Sequence, residues 1–377
     1  PEPHPVVALA KSQGLSIIGD MELFQMALGS KRDTIIAITG TNGKSTTTAL
    51  CAHLLSSMGK KVQMGGNIGV PVLGLAPPCG EYVYVLEISS FQSELAPHFA
   101  PHISALLNIT PDHIDRHGSF ENYVAAKKNI LTKTKEHLII GMGGREEEKL
   151  AKLYARKNIS LTHIVIGGEG DIAVRDGVLY EGGVAEGSLG GIATLQGAHN
   201  WQNAACAYAI CRKLGCEGGE IMKAFHSFAG LAHRMQPVGR IGHILCVNDS
   251  KATNAAASAP ALSAFSDIFW IAGGRAKAGG IDALLPLPEN VKAAYFIGEA
   301  EQGFADSLAK HGAPPHRVCG TLEGAFEAAL RDARSSGLAS PVILFSPAAA
   351  SFDQFEGFEA RGDAFIALME QAEKEGL

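Results

Sequence analysis

Between Ile35 and Thr46 a run of strand-forming residues, Ile-Ile-Ala-Ile-Thr, passes directly into Gly-Thr-Asn-Gly-Lys-Ser-Thr. No other stretch limits the possible folds as much. A strand that enters a glycine-punctuated turn and leaves as a helix is the opening unit of a parallel sheet covered by helices. The same residues carry chemistry. Glycine lets the backbone approach a polyphosphate, successive N–H groups and the following helix N-terminus supply positive potential, Lys44 adds a point charge, and Ser45 offers a hydroxyl to Mg²⁺. Gly40, Thr41, Asn42, Gly43, Lys44, Ser45 and Thr46 therefore form a candidate phosphate cradle for ATP or GTP. The usual phosphate loop has its first glycine five positions before the second; here Ile38 stands there and Gly40 lies closer. A tight strand-to-helix turn is the alternative reading.

The 377 residues are 46% hydrophobic and 19% charged, which suits a globular enzyme of two or three domains. A net charge of −6 argues against a general nucleic-acid or anionic-membrane binder and points to small-molecule partners. No apolar run approaches the ~20 residues needed to cross a membrane, and no charged-then-apolar leader opens the chain, so a cytoplasmic protein is expected. The seven cysteines include no Cys-x-x-Cys pair and read as buried thiols rather than metal ligands or disulfides.

Residues 1–30 hold one helix-like stretch, Val6–Ser12, and one short strand candidate, Leu15–Ile18, too little to bury a core. From residue 31 to 229 apolar strand candidates (Ile35–Thr39, Tyr82–Ile88, Ser104–Ile109, Leu138–Ile140) alternate with helical patterns starting near Lys44 and Glu121, as in a parallel α/β domain. Within it Ile164–Leu195 is Gly-rich and short-stranded (Ile172–Val174, Val178–Tyr180, Ile192–Leu195), and is expected to form a small antiparallel β subregion, followed by a helix from Trp201 to Leu214. Residues 230–377 repeat the alternation with strands Ile244–Val247, Ile268–Ala272, Ala294–Ile297 and Val342–Phe345, a second doubly wound, Rossmann-like α/β domain.

Polar residues gather where these strands end, the edge at which α/β sheets bind ligands. Glu87, followed by Ile-Ser-Ser-Phe-Gln, is a plausible metal or water-holding carboxylate beside the phosphate loop, or a solvent-facing one. Asn108-Ile-Thr-Pro-Asp-His113-Ile-Asp115 offers an imidazole and carboxylates, but Thr-Pro-Asp is also a common helix start. Lys127 follows an Ala pair on a helix and can face inward, although helical lysine is exposed by default. His199-Asn200-Trp-Gln-Asn203 puts amides on one helix face, suited to a base or to capping. In the second domain Asn248-Asp249-Ser-Lys251-Ala-Thr253-Asn254 and Gly273-Gly-Arg-Ala-Lys277 end the first two strands. Lys44, Arg234, Lys251 and Lys277 are cations suited to a triphosphate and acidic substrates.

Together these motifs resemble the Mur ligase family of ADP-forming amide-bond ligases. The resemblance runs from Ile17 onward through Gly-Thr-Asn-Gly-Lys-Ser-Thr, Gly65-Gly-Asn67-Ile-Gly69, Leu86-Glu-Ile-Ser-Ser-Phe-Gln92, Asp112-His-Ile-Asp-Arg116, Tyr123 to Lys127, His199-Asn200, His233-Arg234, Asn248 to Asn254, and Ser346-Pro-Ala-Ala-Ala-Ser351-Phe-Asp-Gln-Phe355. It implies a central P-loop ATPase-like domain, a Rossmann-like C-terminal domain, and, in residues 1–30, the closing elements of a UDP-binding domain. It implies two Mg²⁺ ions: Lys44 would hold the β/γ-phosphates and Ser45 one Mg²⁺, while Glu87, His113 and Lys127 as its N-carbamate would surround the second. Asn200, Asn203, Arg234 and Asp249 would contact the nucleotide, and Lys251 its phosphates. Asn67, Ser89 and Gln92 would hold a muramoyl substrate, and Thr253, Lys277, Ser351 and Phe358 an amino acid. Lys44, His113, Lys127 and Lys251 carry the catalytic roles. The Asp-Asn-Pro-Arg pattern of diaminopimelate-adding members is absent, and Asn-Asp-Ser-Lys-Ala-Thr-Asn with Ser-Phe-Asp-Gln-Phe favours D-glutamate added to UDP-N-acetylmuramoyl-L-alanine; a monomer is expected. Another ligase of the family, including the folylpolyglutamate type, and a nucleotide-binding module without turnover are the rival readings.

Overall fold

A computed structural model describes residues 4–375 except 158 and 313; the side chains of Asp115 and Ala193 also lie outside the description, as do Pro1–Pro3. The chain divides into two compact units, Pro1–Phe228 and Ala229–Leu377.

The first unit begins with helices α1 (Pro5–Ser12) and α2 (Asp20–Leu28). Its strands are β1 (Thr34–Thr39), β2 (Val62–Gly66), β3 (Val83–Glu87), β4 (Ile103–Leu106), β5 (His137–Met142), β6 (Ser160–Ile166), β7 (Ile172–Arg175), β8 (Val178–Glu181) and β9 (Val184–Ser188). They form one sheet in the order β2-β3-β1-β4-β5-β6-β7-β8-β9. Pairing is parallel as far as β7, and β8 and β9 are added antiparallel. The β1 residues Ile35–Thr39 are all buried, as a strand covered on both faces must be. Ile36 and Ile38 face a core built with α3 (Lys44–Ser57), α8 (Ala198–Lys213) and α9 (Gly218–Phe225). Ile35 and Ala37 point the other way, to Met21, Phe24 and Leu28 of α2. The remaining helices are α4 (Ser90–Glu94), α5 (Ile114–His117), α6 (Phe120–Lys133) and α7 (Arg145–Tyr154).

In the second unit β10 (Gln236–Ile241), β11 (Ile244–Asn248), β12 (Ile268–Gly273), β13 (Val291–Ile297), β14 (His316–Gly320) and β15 (Val342–Phe345) form a sheet in the order β10-β11-β15-β12-β13-β14. All neighbours are parallel except β10 and β11. Helices α12 (Leu322–Ser335) and α13 (Phe358–Lys374) bury one face around Tyr295 and Phe345; α10 (Ala255–Ala264) and α11 (Glu301–Ala309) bury the other around Trp270 and Phe296. This is the doubly wound arrangement expected from the sequence. Since β15 inserts between β11 and β12, the chain reverses its winding there, and the loops leaving those three strands open a crevice.

Three expectations need correction. Leu15–Ile18 is not a strand; it is largely exposed and has no partner ladder. Ile192–Leu195 is a short 3-10 turn, and the third strand of the Gly-rich region is β9 instead. The expected antiparallel subregion is β7-β8-β9, joined to the central sheet by the parallel pairing of β7 with β6. Strands β2, β6, β10 and β14 were not anticipated: β2 ends in two glycines, β6 mixes Ser, Thr and His with its apolar residues, β10 contains Pro237 and Gly239, and β14 is a half-exposed edge without an apolar run.

Candidate functional site

The phosphate loop has the conformation that its glycines permit. Gly40 has φ +154°, and a Cβ there would lie 3.0 Å from Leu107 Cβ and 3.3 Å from the backbone of Asn108. Gly43 has φ +83° and caps α3; a Cβ would fall 2.2 Å from Asn203 Oδ1. The loop is fastened from the neighbouring strand. Asn108 Oδ1 accepts from the Asn42 N–H (2.8 Å) while its Nδ2 donates to the Asn42 carbonyl (3.1 Å). The Thr41 hydroxyl lies 3.0 Å from Tyr123 Oη and donates to the Thr110 carbonyl at 3.1 Å. Lys44 Nζ folds back to donate to the carbonyls of Gly40 (3.0 Å) and Thr41 (2.7 Å), and Ser45 is buried at the first turn of α3. Thr46, the last residue of the cradle, follows in the same turn.

Glu87 ends β3, next to β1, and its carboxylate is buried. Oε1 accepts from Asn67 Nδ2 at 3.0 Å; Oε2 is buried without a hydrogen-bond partner among the described residues. Lys127 on α6 is 2% exposed and donates to the Gly40 carbonyl at 2.7 Å. Burial, then the nearby Lys44 charge, push its amine down to about 7 against the opposing pull of Asp112 and Glu87. His113 caps α5 in the left-handed region (φ +51°), a costly conformation for a non-glycine residue that is concentrated at functional sites. Ser89 and Gln92 form a reciprocal capping box on α4, and Gln92 Nε2 also donates to Asp20 Oδ2 at 3.2 Å. Asn200 and Asn203 are both buried on α8, linked by a 3.2 Å hydrogen bond.

In the second unit Asp249 leaves β11 buried, accepting from Ser346 Oγ (2.7 Å) and the Met235 N–H (3.1 Å). Burial raises its carboxyl to about 7, although both hydrogen bonds and Arg234 pull it down. Lys251 Nζ lies 4.7 Å from the centre of the Phe358 ring. Thr253 and the buried Ser351 sit on the loops after β11 and β15, and the exposed Lys277 follows β12. Arg361 on α13 is 1% exposed and unites these three loops: it donates to Ser250 Oγ (3.1 Å), the Ser250 carbonyl (2.8 Å), the Ala349 carbonyl (3.1 Å) and the Gly273 carbonyl (3.4 Å).

The structure thus gathers the phosphate loop, Glu87 and Lys127 at one sheet edge, and Asp249, Lys251, Ser351 and Phe358 at the edge of the other sheet. Asn108 and Ser346 stand in motifs read from the sequence but received no role there, and His117 and Arg361 were not named. Asn108 could have been found by its place beside the loop at the end of β4; Arg361 had no such signal.

A phosphate loop beside a buried carboxylate and a buried lysine whose amine is pushed down to about 7, on a sheet separate from a Rossmann-like unit, is the arrangement of an ATP-dependent ligase. Residues 38–211 match the Mur ligase middle domain. The chain is 46% identical to the UDP-N-acetylmuramoylalanine–D-glutamate ligase of Agrobacterium fabrum and 47% identical to that of Chelativorans sp., in each case over 97% of this chain and 79% of the relative. Among solved structures it resembles in fold the MurF ligase of Thermotoga maritima in complex with ADP (TM-score 0.68, 17% identity, 95% of this chain and 84% of that one). It also resembles the UDP-N-acetylmuramate–alanine ligase MurC of the same organism (TM-score 0.65, 19% identity, 99% and 84%). The chain belongs to the Mur ligase family. Within that family its sequence stands with the enzymes named UDP-N-acetylmuramoylalanine–D-glutamate ligase.

Proposed function

We propose that this chain joins D-glutamate to UDP-N-acetylmuramoyl-L-alanine in an ATP-dependent, ADP-forming reaction of peptidoglycan synthesis, in the cytoplasm. The carrying observation is the identity of 46% over 97% of the chain to a D-glutamate ligase, supported by the phosphate loop and the buried Glu87–Lys127 neighbourhood.

A carboxylate is a poor electrophile, so the γ-phosphoryl group passes to the substrate carboxylate, ADP leaves, and the resulting acyl phosphate carries a good leaving group. The amine of D-glutamate then attacks the acyl carbon, the amide bond forms, phosphate departs and the amine gives up a proton. Transfer of this kind depends on positioning and charge neutralisation. The backbone N–H groups of Gly40–Ser45 and the Lys44 amine hold the β/γ-phosphates. Asn67, Ser89 and Gln92 orient the muramoyl substrate. In the second unit Asp249, Arg234 and Lys251 serve the nucleotide, with Asn200 and Asn203 doing so in the first, and Thr253, Lys277, Ser351 and Phe358 hold D-glutamate.

The donor set suits Mg²⁺. Glu87 Oε2 is a buried carboxylate oxygen lacking a hydrogen-bond partner among the described residues, and an amine held near neutrality, as Lys127 is, can take up CO₂ to become a second carboxylate-like ligand. Glu87, His113 and the Lys127 carbamate would hold one ion and Ser45 another. Bound Mg²⁺ would neutralise phosphate charge. Lys44→Ala should lower ADP formation by roughly 100-fold or more, the scale of removing a fixed charge from a transition state; wild-type rates in that variant would remove the assignment.

A further inference from the structure

We propose that His117 is a positioning residue for the muramoyl-substrate side of the site, bolting α4 to the turn that bears His113. The inference rests on the ligase reading above. Helices α4 and α5 span only Ser90–Glu94 and Ile114–His117. Nucleating a helical turn is unfavourable, so pieces this short take their shape from outside contacts. Yet Ser89 and Gln92 sit at the start of one, and His113 caps the other.

The His117 side chain has no exposed surface. Its Nδ1 lies 3.0 Å from Glu94 Oε1 and its Nε2 3.0 Å from Ser90 Oγ. A carboxylate only accepts, so the Nδ1–H donates to Glu94, and Nε2 shares a hydrogen bond with the serine hydroxyl. Ser90 and Glu94 are four apart on one face of α4, so a single imidazole spans the helix. The ring also stacks on Phe91 (centroids 5.4 Å apart, 22° between planes), and Phe91 contacts the His113 ring at 5.0 Å. From the other side Asn122 Nδ2 donates to the His117 carbonyl at 2.8 Å, tying α5 to α6. Serine, histidine and glutamate in this order have the membership of a nucleophilic triad, but Ser90 is 3% exposed. Its hydroxyl cannot meet a substrate, so the constellation positions rather than reacts.

His117→Phe keeps a ring against Phe91 and removes both ring-nitrogen hydrogen bonds; His117→Gln restores one. In steady-state assays of the full chain, His117→Phe should raise KM for UDP-N-acetylmuramoyl-L-alanine about 10-fold and leave KM for ATP within about 2-fold, with His117→Gln recovering part of the loss. Hydrogen exchange on the ligand-free chain gives a readout independent of turnover. Amides of Ser89–Leu95 should exchange about 10-fold faster in His117→Phe and in Ser90→Ala, while those of α3 keep wild-type protection. Unchanged exchange at Ser89–Leu95 would overturn the proposal, as would an equal loss of protection in α3. A wild-type chain without muramoyl-dependent ADP release would sink the ligase reading instead, and the exchange result would still decide whether His117 holds α4.

Discussion

Lys127 Nζ donates to the Gly40 carbonyl at 2.7 Å, tying a buried amine on α6 to the first glycine of the phosphate loop. Because burial and Lys44 bring that amine to about 7, it is substantially neutral at physiological pH. Incubation of the intact protein with ¹³C-bicarbonate at pH 8 should give a carbamate carbon resonance that Lys127→Arg lacks. A spectrum without that resonance would remove the carbamate.

The same shift sets a pH dependence of stability. The folded value of about 7 lies below the ordinary 10.5, so between these values the unfolded chain binds the extra proton. Lys127 therefore adds stability as pH rises through that window, and the contribution is lost as pH falls through about 7. Lys127→Met should flatten this part of the denaturation-midpoint profile; an unchanged slope would contradict the burial argument.

Asp249 acts with the opposite sign. Its carboxyl is raised from 3.8 to about 7, so the stability linked to its protonated form is complete below the ordinary value and is lost as pH rises through about 7. Chemical denaturation between pH 4 and 8 should show Asp249→Asn gaining on the wild type toward pH 8, on the order of 1–3 kcal/mol. A difference independent of pH would be evidence against a strongly raised carboxyl.

Gly43 and Asn203 form a size-matched pair, since a Cβ at 43 would lie 2.2 Å from Asn203 Oδ1. Gly43→Ala should weaken ATP binding at least about 10-fold by calorimetry, through the clash and through the left-handed backbone. Adding Asn203→Ala relieves the clash but also removes a proposed nucleotide contact, so partial recovery in the double variant is expected in the denaturation midpoint and not in ATP affinity. An affinity unchanged by Gly43→Ala would refute the tight approach.

Arg361 meets Ser250, Gly273 and Ala349 through one planar guanidinium. A lysine cannot reproduce that fork. Arg361→Lys should raise KM for D-glutamate roughly 10-fold while the muramoyl-substrate KM stays near wild type. Equal changes in both would mean global loosening.

Much of this was legible in the sequence because the parallel strands are buried on both faces and read as apolar runs: Ile35–Thr39 and Val342–Phe345 needed no partner to be recognised. The phosphate loop was legible because glycine and lysine at those spacings have few other uses. Edge strands escaped, since β14 lacks an apolar run and β10 carries a proline. The supporting polar residues escaped for a different reason. Arginine is exposed by type and histidine intermediate, and only tertiary contacts reveal that Arg361 and His117 are buried, whereas the Ala pair beside Lys127 gave its inward face away. Leu15–Ile18 shows the converse: β-prone residues make no strand without a ladder to join.

The most direct test is coupled ADP release by the chain supplied with ATP, Mg²⁺ and UDP-N-acetylmuramoyl-L-alanine, varying only the amino acid. Release should depend on D-glutamate, with L-glutamate and diaminopimelate near background. Turnover with either of those and none with D-glutamate would contradict the assignment.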